Sequence, residues 1–229
     1  MNRVLVAAEL EYFLRETEVP ADVEVELLPE GEALPGGDYL GLIPLLTRRI
    51  GAAELDRLPA LRVVANYAVG YDNIDLEAAR ARGVAVSNTP GVLTVATAEL
   101  TWALILATAR RVIEGDRLAR SGEWRGWRPT ELLGVGLSGK VLGVVGAGRI
   151  GREVARRAVA FDMSVVYWDK VRDEAWEAEA GAGWRPLDAL LEESDVVSVH
   201  VPLTPETRGL IGAKAVERMK PGAIVVNTA

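Results

Sequence analysis

Short apolar runs alternate with helix-spaced stretches along the first third of this chain. Val4–Ala7, Val23–Leu28, Tyr39–Ile43, Arg62–Ala65 and Val84–Ser87 read as strands, with helices over Ala52–Leu58 and Leu76–Arg82 between them. Asp75 stands where a helix N-cap belongs, its short side chain able to take an N–H of the first turn. Strands separated by helices predict β–α units in a parallel sheet. From Thr94 to Leu118 apolar residues fall at helical spacing (Leu100, Leu104, Ala107, Val112), which predicts one long helix and a domain boundary just ahead of it. Ser121–Gly139, rich in Gly and Trp, reads as an extended arm. Beyond it, apolar runs at Val141–Val145 and Val165–Trp168 bracket an amphipathic helix pattern. A strand over Asp195–Val201, a helix over Ala213–Met219 and a strand over Ala223–Val226 follow, the last after the turn at Pro221-Gly222. The pattern contains no repeats and no low-complexity tract.

The stretch 141–169 carries the sharpest candidate chemistry. Its first strand runs into Gly146-Ala147-Gly148-Arg149-Ile150-Gly151, a helix follows, and the second strand stops at Asp169 with 17 residues between Gly151 and that acid. Gly146 permits the tight turn, Gly148 lets backbone approach a pyrophosphate, and Gly151 allows close helix–strand packing. The helix N-terminus offers N–H groups and partial positive charge to an anion. Asp169 is placed to accept hydrogen bonds from a ribose hydroxyl, and its charge repels a 2′-phosphate, so NADH is expected over NADPH. Lys170 beside it weakens that preference. The glycine pattern alone is weak, but strand, glycines, helix, strand and acid arrive here in order.

Other features carry less. His200 is the only histidine, yet it ends an apolar strand and is read as a structural or adenosine-side group rather than a general acid. Gly134-x-x-x-x-Gly139-Lys140 imitates a phosphate loop, but Val141 and a strand follow where Ser or Thr and a helix are needed. Asp72 has no companions at metal-ligand spacing, and no metal is expected. Trp124 and Trp127 are either arm packing or an interface.

Composition narrows the class. The 229 residues carry a formal charge of −7, which disfavours a nucleic-acid partner. There is no cysteine, hence no disulfide framework or thiolate chemistry. The N-terminal apolar run is broken by Glu9 and Glu11, and Leu100–Ala109 is too short to span a bilayer, so no membrane association and a cytoplasmic location are expected. Glutamine is absent while Glu and Arg are abundant, a composition that leans towards a thermophilic source.

Residues 63–94 (VVANYAVGYDNIDLEAARARGVAVSNTPGVLT), 96–111 (ATAELTWALILATARR), 139–151 (GKVLGVVGAGRIG), 199–211 (VHVPLTPETRGLI) and 219–229 (MKPGAIVVNTA) run in order along the chain. Together they resemble the D-isomer-specific 2-hydroxyacid dehydrogenases, nearest to the branch that reduces glyoxylate and hydroxypyruvate. The resemblance implies an α/β protein with a smaller flavodoxin-like substrate (lid) domain over 1–94. It also implies a Rossmann, doubly wound parallel sheet over 95–229, with both domains incomplete at the C-terminus. It implies reduction of a small 2-keto acid to the D-2-hydroxy acid with NAD as cofactor. Backbone N–H groups of Val69 and Gly70 would hold the substrate carboxylate. Gly146, Gly148, Arg149, Ile150 and Gly151 would hold the pyrophosphate, and Asp169 with Lys170 the adenine ribose. His200, Val201, Pro202 and Thr207 would border the adenosine half, while Thr97, Asn227, Thr228 and Ala229 would lie near the nicotinamide.

In that family an Arg directly follows the Asn-Thr-Ala motif and a Glu and a His come later. None of the three falls within these 229 residues, so no catalytic residue is assigned, and a truncated form of a longer enzyme is expected. The family's habit implies a homodimer through the 95–139 helix and arm, with Trp127 reaching the second subunit's cleft. Three alternatives stay open. One is a phosphoglycerate dehydrogenase-type activity, for which Arg48 and Arg49 are the nearest phosphate-binding candidates. The others are a NAD-sensing, corepressor-like binding protein and a catalytically incomplete NAD-binding fragment.

Overall fold

Parallel pairing organises both halves of the chain. The structure is a computed structural model describing all residues, Met1–Ala229, and the chain divides into two compact units, Met1–Val92 and Leu93–Ala229. In the first, β1 (Asn2–Ala7) pairs with β2 (Val23–Leu28) and β3 (Gly41–Ile43). Next come β4 (Val63–Ala65) and β5 (Ala85–Ser87), giving the order β2-β1-β3-β4-β5. This is the flavodoxin-like order. Helices α1 (Glu11–Leu14), α2 (Ala52–Asp56) and α3 (Leu76–Ala81) connect the strands. Leu5, Leu42 and Val64 of the central strands pack with Leu55, Leu58 and Ala79, while Val6 and Ala7 face a second cluster with Leu10. A strand covered on both faces needs the unbroken apolar run the sequence shows there. Asp75 caps α3, its Oδ1 accepting the Ala78 N–H at 2.9 Å.

The second unit begins with α4 (Thr94–Ala109) and α5 (Val112–Ser121). Its sheet is built from β6 (Val141–Val145), β7 (Ser164–Trp168), β8 (Gly183–Trp184), β9 (Val196–Val199) and β10 (Ile224–Asn227), ordered β10-β9-β6-β7-β8 and wholly parallel. Helices α6 (Arg149–Ala158), α7 (Glu174–Ala180), α8 (Leu187–Glu193) and α9 (Ala213–Arg218) complete it. One face of the sheet buries Leu142, Val144 and Tyr167 against Ala98, Trp102, Ile105 and Val154; the other buries Val145, Val166 and Val197 against Leu190 and Leu191. Trp102 ties α4 to α6: its Nε1 donates to the Val154 carbonyl at 3.0 Å, and its ring stacks on Phe161 at 4.5 Å. The chain runs from β6 to one side through β7 and β8, then returns to β6's other side as β9. The strand order therefore reverses at β6, where an open α/β sheet forms its ligand crevice.

The single helix expected over Thr94–Leu118 is two. The break at Arg110–Arg111 leaves Arg111 at φ 54°. Its cause lies downstream, in the arm. Val135 donates its N–H to the Ala109 carbonyl at 2.8 Å, ending the helical ladder there. Gly134 passes so close that a Cβ would stand 2.4 Å from the same oxygen. Two helices not among the expected elements, α7 and α8, form over 174–193. Each is only seven residues long, and α7 is set by a side-chain cap, Asp173 Oδ1 accepting the Trp176 N–H at 3.0 Å. No helix is long and apolar enough to cross a membrane.

Candidate functional site

At the C-terminal end of β6 the three glycines serve different ends. Gly146 has φ 100°, and a Cβ on it would meet the His200 carbonyl carbon and the Val201 nitrogen at 2.8 Å. Gly151 lies against the turn itself, where a Cβ would come within 2.1 Å of the Gly146 oxygen. Packing therefore dictates both. Gly148 differs. It N-caps α6 with ordinary extended dihedrals (φ −75°, ψ −168°), and nothing lies within 4 Å of where its Cβ would be. Neither strain nor crowding inside the protein calls for glycine there; the cleared space lies above the helix N-terminus.

Arg149, the first residue of α6, is exposed and pairs with no carboxylate. A cation at a helix N-terminus is disfavoured by the helix dipole unless an anion joins it. The N–H groups of Gly148, Arg149 and Ile150 have no acceptor in the protein, as expected for a first turn without a side-chain cap. Cleared space, free donors and an unpaired guanidinium thus converge on one point, an arrangement suited to a diphosphate.

The acid at the tip of β7 is wired to this turn. Asp169 Oδ2 accepts the Ala147 N–H at 2.9 Å and its Oδ1 accepts the Lys170 N–H at 2.7 Å, leaving further lone pairs for an incoming hydroxyl. The carbonyl of Ala147, in the next peptide group, is held too. It accepts from Arg152 Nε at 2.8 Å, and that guanidinium also bonds Asp173 Oδ2 at 2.6 Å and lies over the Trp176 ring. Lys170 reaches Glu206 Oε2 at 3.7 Å, so the loops after β7 and β9 meet through an exposed ion pair.

Past β9, His200 sits beside Gly146, its N–H donating to the Val145 carbonyl at 2.7 Å. The ring's Nε2 is 2.8 Å from Ser198 Oγ, while Nδ1 is buried without a partner. Burial pushes its pKa down to about 4, so the ring is neutral at physiological pH. A half-buried ring held neutral in this way is a poor general acid at physiological pH. Val201 and Pro202 continue this strand end, and Thr207 folds the loop back: its hydroxyl donates to the Pro202 carbonyl at 2.5 Å and accepts the Thr204 N–H at 2.8 Å.

Thr97 lies in the first turn of α4, and its carbonyl accepts from the buried Thr101 hydroxyl at 2.8 Å. The two hydroxyls of Thr101 and Thr228 are 2.9 Å apart, so α4 and the end of β10 are joined. Asn227 Oδ1 takes the Ala229 N–H at 3.0 Å and shapes the strand end.

In the first unit, Val69 and Gly70 lie on the loop after β4. Asn88 Nδ2 holds the Val69 carbonyl at 2.7 Å and Asn66 Nδ2 holds that of Gly70 at 2.8 Å; their own N–H groups have no acceptor in the protein. Beneath them the buried amides of Asn66 and Asn73 bond each other, and Asn73 Nδ2 also reaches the Arg48 carbonyl at 3.0 Å. Three of the chain's five asparagines thus build one loop. This clustering was the available signal for them. For Arg152 and Asp173 the sequence held none, because their pairing depends on how α6 meets α7.

Residues 102–229 match the D-isomer specific 2-hydroxyacid dehydrogenase family, in its NAD binding domain. The chain belongs to this family. The matched residues lie within its second unit, whose strand order reverses at β6. The chain is similar to a glyoxylate reductase of Thermococcus litoralis, 48% identical over 216 residues that make up 90% of this chain and 65% of that protein. It thus spans just under two thirds of that relative's length. Among solved structures it is similar to a protein of Thermus thermophilus, with a TM-score of 0.86 and 47% identity over 99% of this chain and 73% of the other. It is also similar to the D-lactate dehydrogenase of Aquifex aeolicus in complex with NAD and lactic acid, with a TM-score of 0.86 and 28% identity over 100% of this chain and 69% of that one.

Proposed function

We propose that this dehydrogenase chain serves the NADH-dependent reduction of a small 2-keto acid, glyoxylate or hydroxypyruvate, to the D-2-hydroxy acid. The observation that carries the cofactor side is Gly148, a glycine with no internal need to be one, opening onto unpaired N–H groups and an unpaired Arg149. When bound, NADH would supply the hydride, and the resemblance gives the accompanying proton to a Glu-paired His that the family carries after the Asn-Thr-Ala motif. The chain's own residues bind and orient. Gly148, Arg149 and Ile150 take the pyrophosphate, Gly146 and Gly151 let the turn close beneath it, and Asp169 takes ribose hydroxyls. Val201, Pro202 and Thr207 border the adenosine side. Thr97 and the strand end at Asn227, Thr228 and Ala229 border the nicotinamide. His200 shapes the turn as a neutral ring rather than donating a proton.

On the substrate side, Val69 and Gly70 offer two free N–H groups on a loop whose carbonyls are fixed by Asn66 and Asn88, a preorganised cradle for a carboxylate. A small, unphosphorylated substrate is favoured over phosphoglycerate by the state of Arg48. Its guanidinium is taken up by the Glu32 and Pro29 carbonyls at 2.6 and 2.9 Å. The similarity to a glyoxylate reductase points the same way. We place the activity in the cytoplasm, where NADH and small keto acids are available, and in a homodimer. Support for the dimer is the exposed apolar set Leu100, Leu104, Ile113, Trp124, Trp127 and Leu133 on α4, α5 and the arm, with Trp127 83% exposed. Sedimentation as a monomer at micromolar concentration would remove that part.

The test of the function is the loss of nicotinamide absorbance when glyoxylate, hydroxypyruvate and phosphohydroxypyruvate are offered in turn to these 229 residues joined to a relative's segment that follows the Asn-Thr-Ala motif and brings the Arg, Glu and His the family carries there. Turnover of the first two with D-glycerate as the product of the second is expected. Selective turnover of the phosphorylated acid would overturn the substrate assignment.

A further inference from the structure

We infer that Glu206 is a specificity-determining residue for the cofactor, holding Lys170 away from the ribose 2′ position and so keeping the site selective for NADH over NADPH. The inference rests on the cofactor reading above and deepens it. Lys170 is the residue next to Asp169, and Asp169 Oδ1 holds its N–H, so its ammonium is the cation nearest along the chain to the expected ribose site. Left to itself, a flexible ammonium there offers a 2′-phosphate the counter-charge that NADP sites recruit. In this structure the ammonium is turned instead towards Glu206 Oε2, 3.7 Å away on the loop after β9.

Glu206 is fixed for that task. Its Oε2 accepts the Thr204 hydroxyl at 2.7 Å, and Thr204 is itself locked to Thr207, whose hydroxyl takes the Thr204 N–H and donates to the Pro202 carbonyl. The Thr204 hydroxyl also holds the Glu206 carboxyl below its usual pKa, so the charge persists into mild acid. Two carboxylates, Asp169 and Glu206, therefore flank the single Lys170. The sum is net negative, which repels a phosphate dianion and leaves a neutral ribose untouched. The pair is exposed on both sides (60% and 65%), so its own strength is small. Its effect is on which charge is presented to the 2′ position.

The experiment measures dissociation constants of NADH and NADPH by nicotinamide fluorescence on the full chain, on Glu206→Gln and on Glu206→Gln/Lys170→Met. In Glu206→Gln the NADPH constant is expected to fall by about threefold to tenfold, with that for NADH within about twofold of the parent. The added Lys170→Met should abolish the gain, and the gain should shrink as salt is raised. Unchanged NADPH binding in Glu206→Gln overturns the inference while leaving the cofactor reading intact. A gain that survives Lys170→Met also overturns it. Failure of the parent chain to bind either nucleotide overturns the cofactor reading and the inference with it.

Discussion

The carboxylate of Asp169 accepts the N–H of Ala147 at 2.9 Å, across the gap between the tip of β7 and the glycine turn that follows β6. The acid that would grip the ribose is thereby part of the structure that would cradle the pyrophosphate. The Ala147 carbonyl is held in turn by Arg152, so the turn is clamped through two successive peptide groups. Preorganisation of this kind lowers the ordering cost of binding.

Replacing Asp169 with Ala removes the ribose acceptor and frees the Ala147 N–H together. A charge-assisted bond of this type is worth roughly 1.5–3 kcal/mol. Fluorescence titration is expected to show NADH binding weakened by at least about tenfold, with the preference over NADPH narrowed. Unaltered NADH affinity would show that the acid does not touch the cofactor.

The glycines separate stability from binding. Gly148→Ala meets nothing within 4 Å and keeps ordinary dihedrals, so its thermal midpoint should stay near that of the parent while NADH affinity falls about tenfold or more. Gly151→Ala puts a methyl 2.1 Å from the Gly146 oxygen and should lose about 1–3 kcal/mol of stability. Thermal melts and titrations on the two variants make the check. Equal losses of stability in both would contradict the division of roles.

His200 gives a pH signature. Its folded pKa is about 4, below the ordinary 6.5, because burial disfavours the charged ring. Between those values the unfolded chain takes up a proton that the native protein refuses, so stability falls as pH drops from about 6.5 to about 4 and is level in this respect above 6.5. The loss is on the order of 2–3 kcal/mol. Urea midpoints across this range should decline less steeply for His200→Asn, whose amide does not titrate. Identical slopes in both proteins would place the decline elsewhere.

Asn73→Ala leaves Asn66 Oδ1 and the Arg48 carbonyl without the Asn73 donor, at a cost of about 1–3 kcal/mol. Hydrogen exchange should quicken through 66–73 while β6 and α6 stay protected. Exchange unchanged in that loop would mean the asparagine pair does not set its shape.

Much of this was legible in the chain. The apolar runs at Val141–Val145 and Val165–Trp168 mark strands buried on two faces, and glycines followed at the right distance by Asp169 mark the turn between them. Asp75 announced its helix cap. What stayed hidden depends on contacts made late in the fold. The break at Arg110–Arg111 is imposed by Gly134 and Val135, more than twenty residues on, while the local periodicity runs straight through it. The Arg152–Asp173 and Lys170–Glu206 pairs join segments that only the sheet order brings together. The glycines were separable from their order in the motif: Gly146 turns at φ 100°, Gly151 packs against the turn and Gly148 faces open space.

The crevice at the end of β6 is the feature on which cofactor binding depends. Isothermal titration of NADH into the folded chain tests it most directly. Saturable binding at one site per chain, competed by AMP and weakened at least about tenfold by Asp169→Ala, is the predicted result. A folded protein that gives no saturable heat with NADH, or binds it equally well without Asp169, would contradict it.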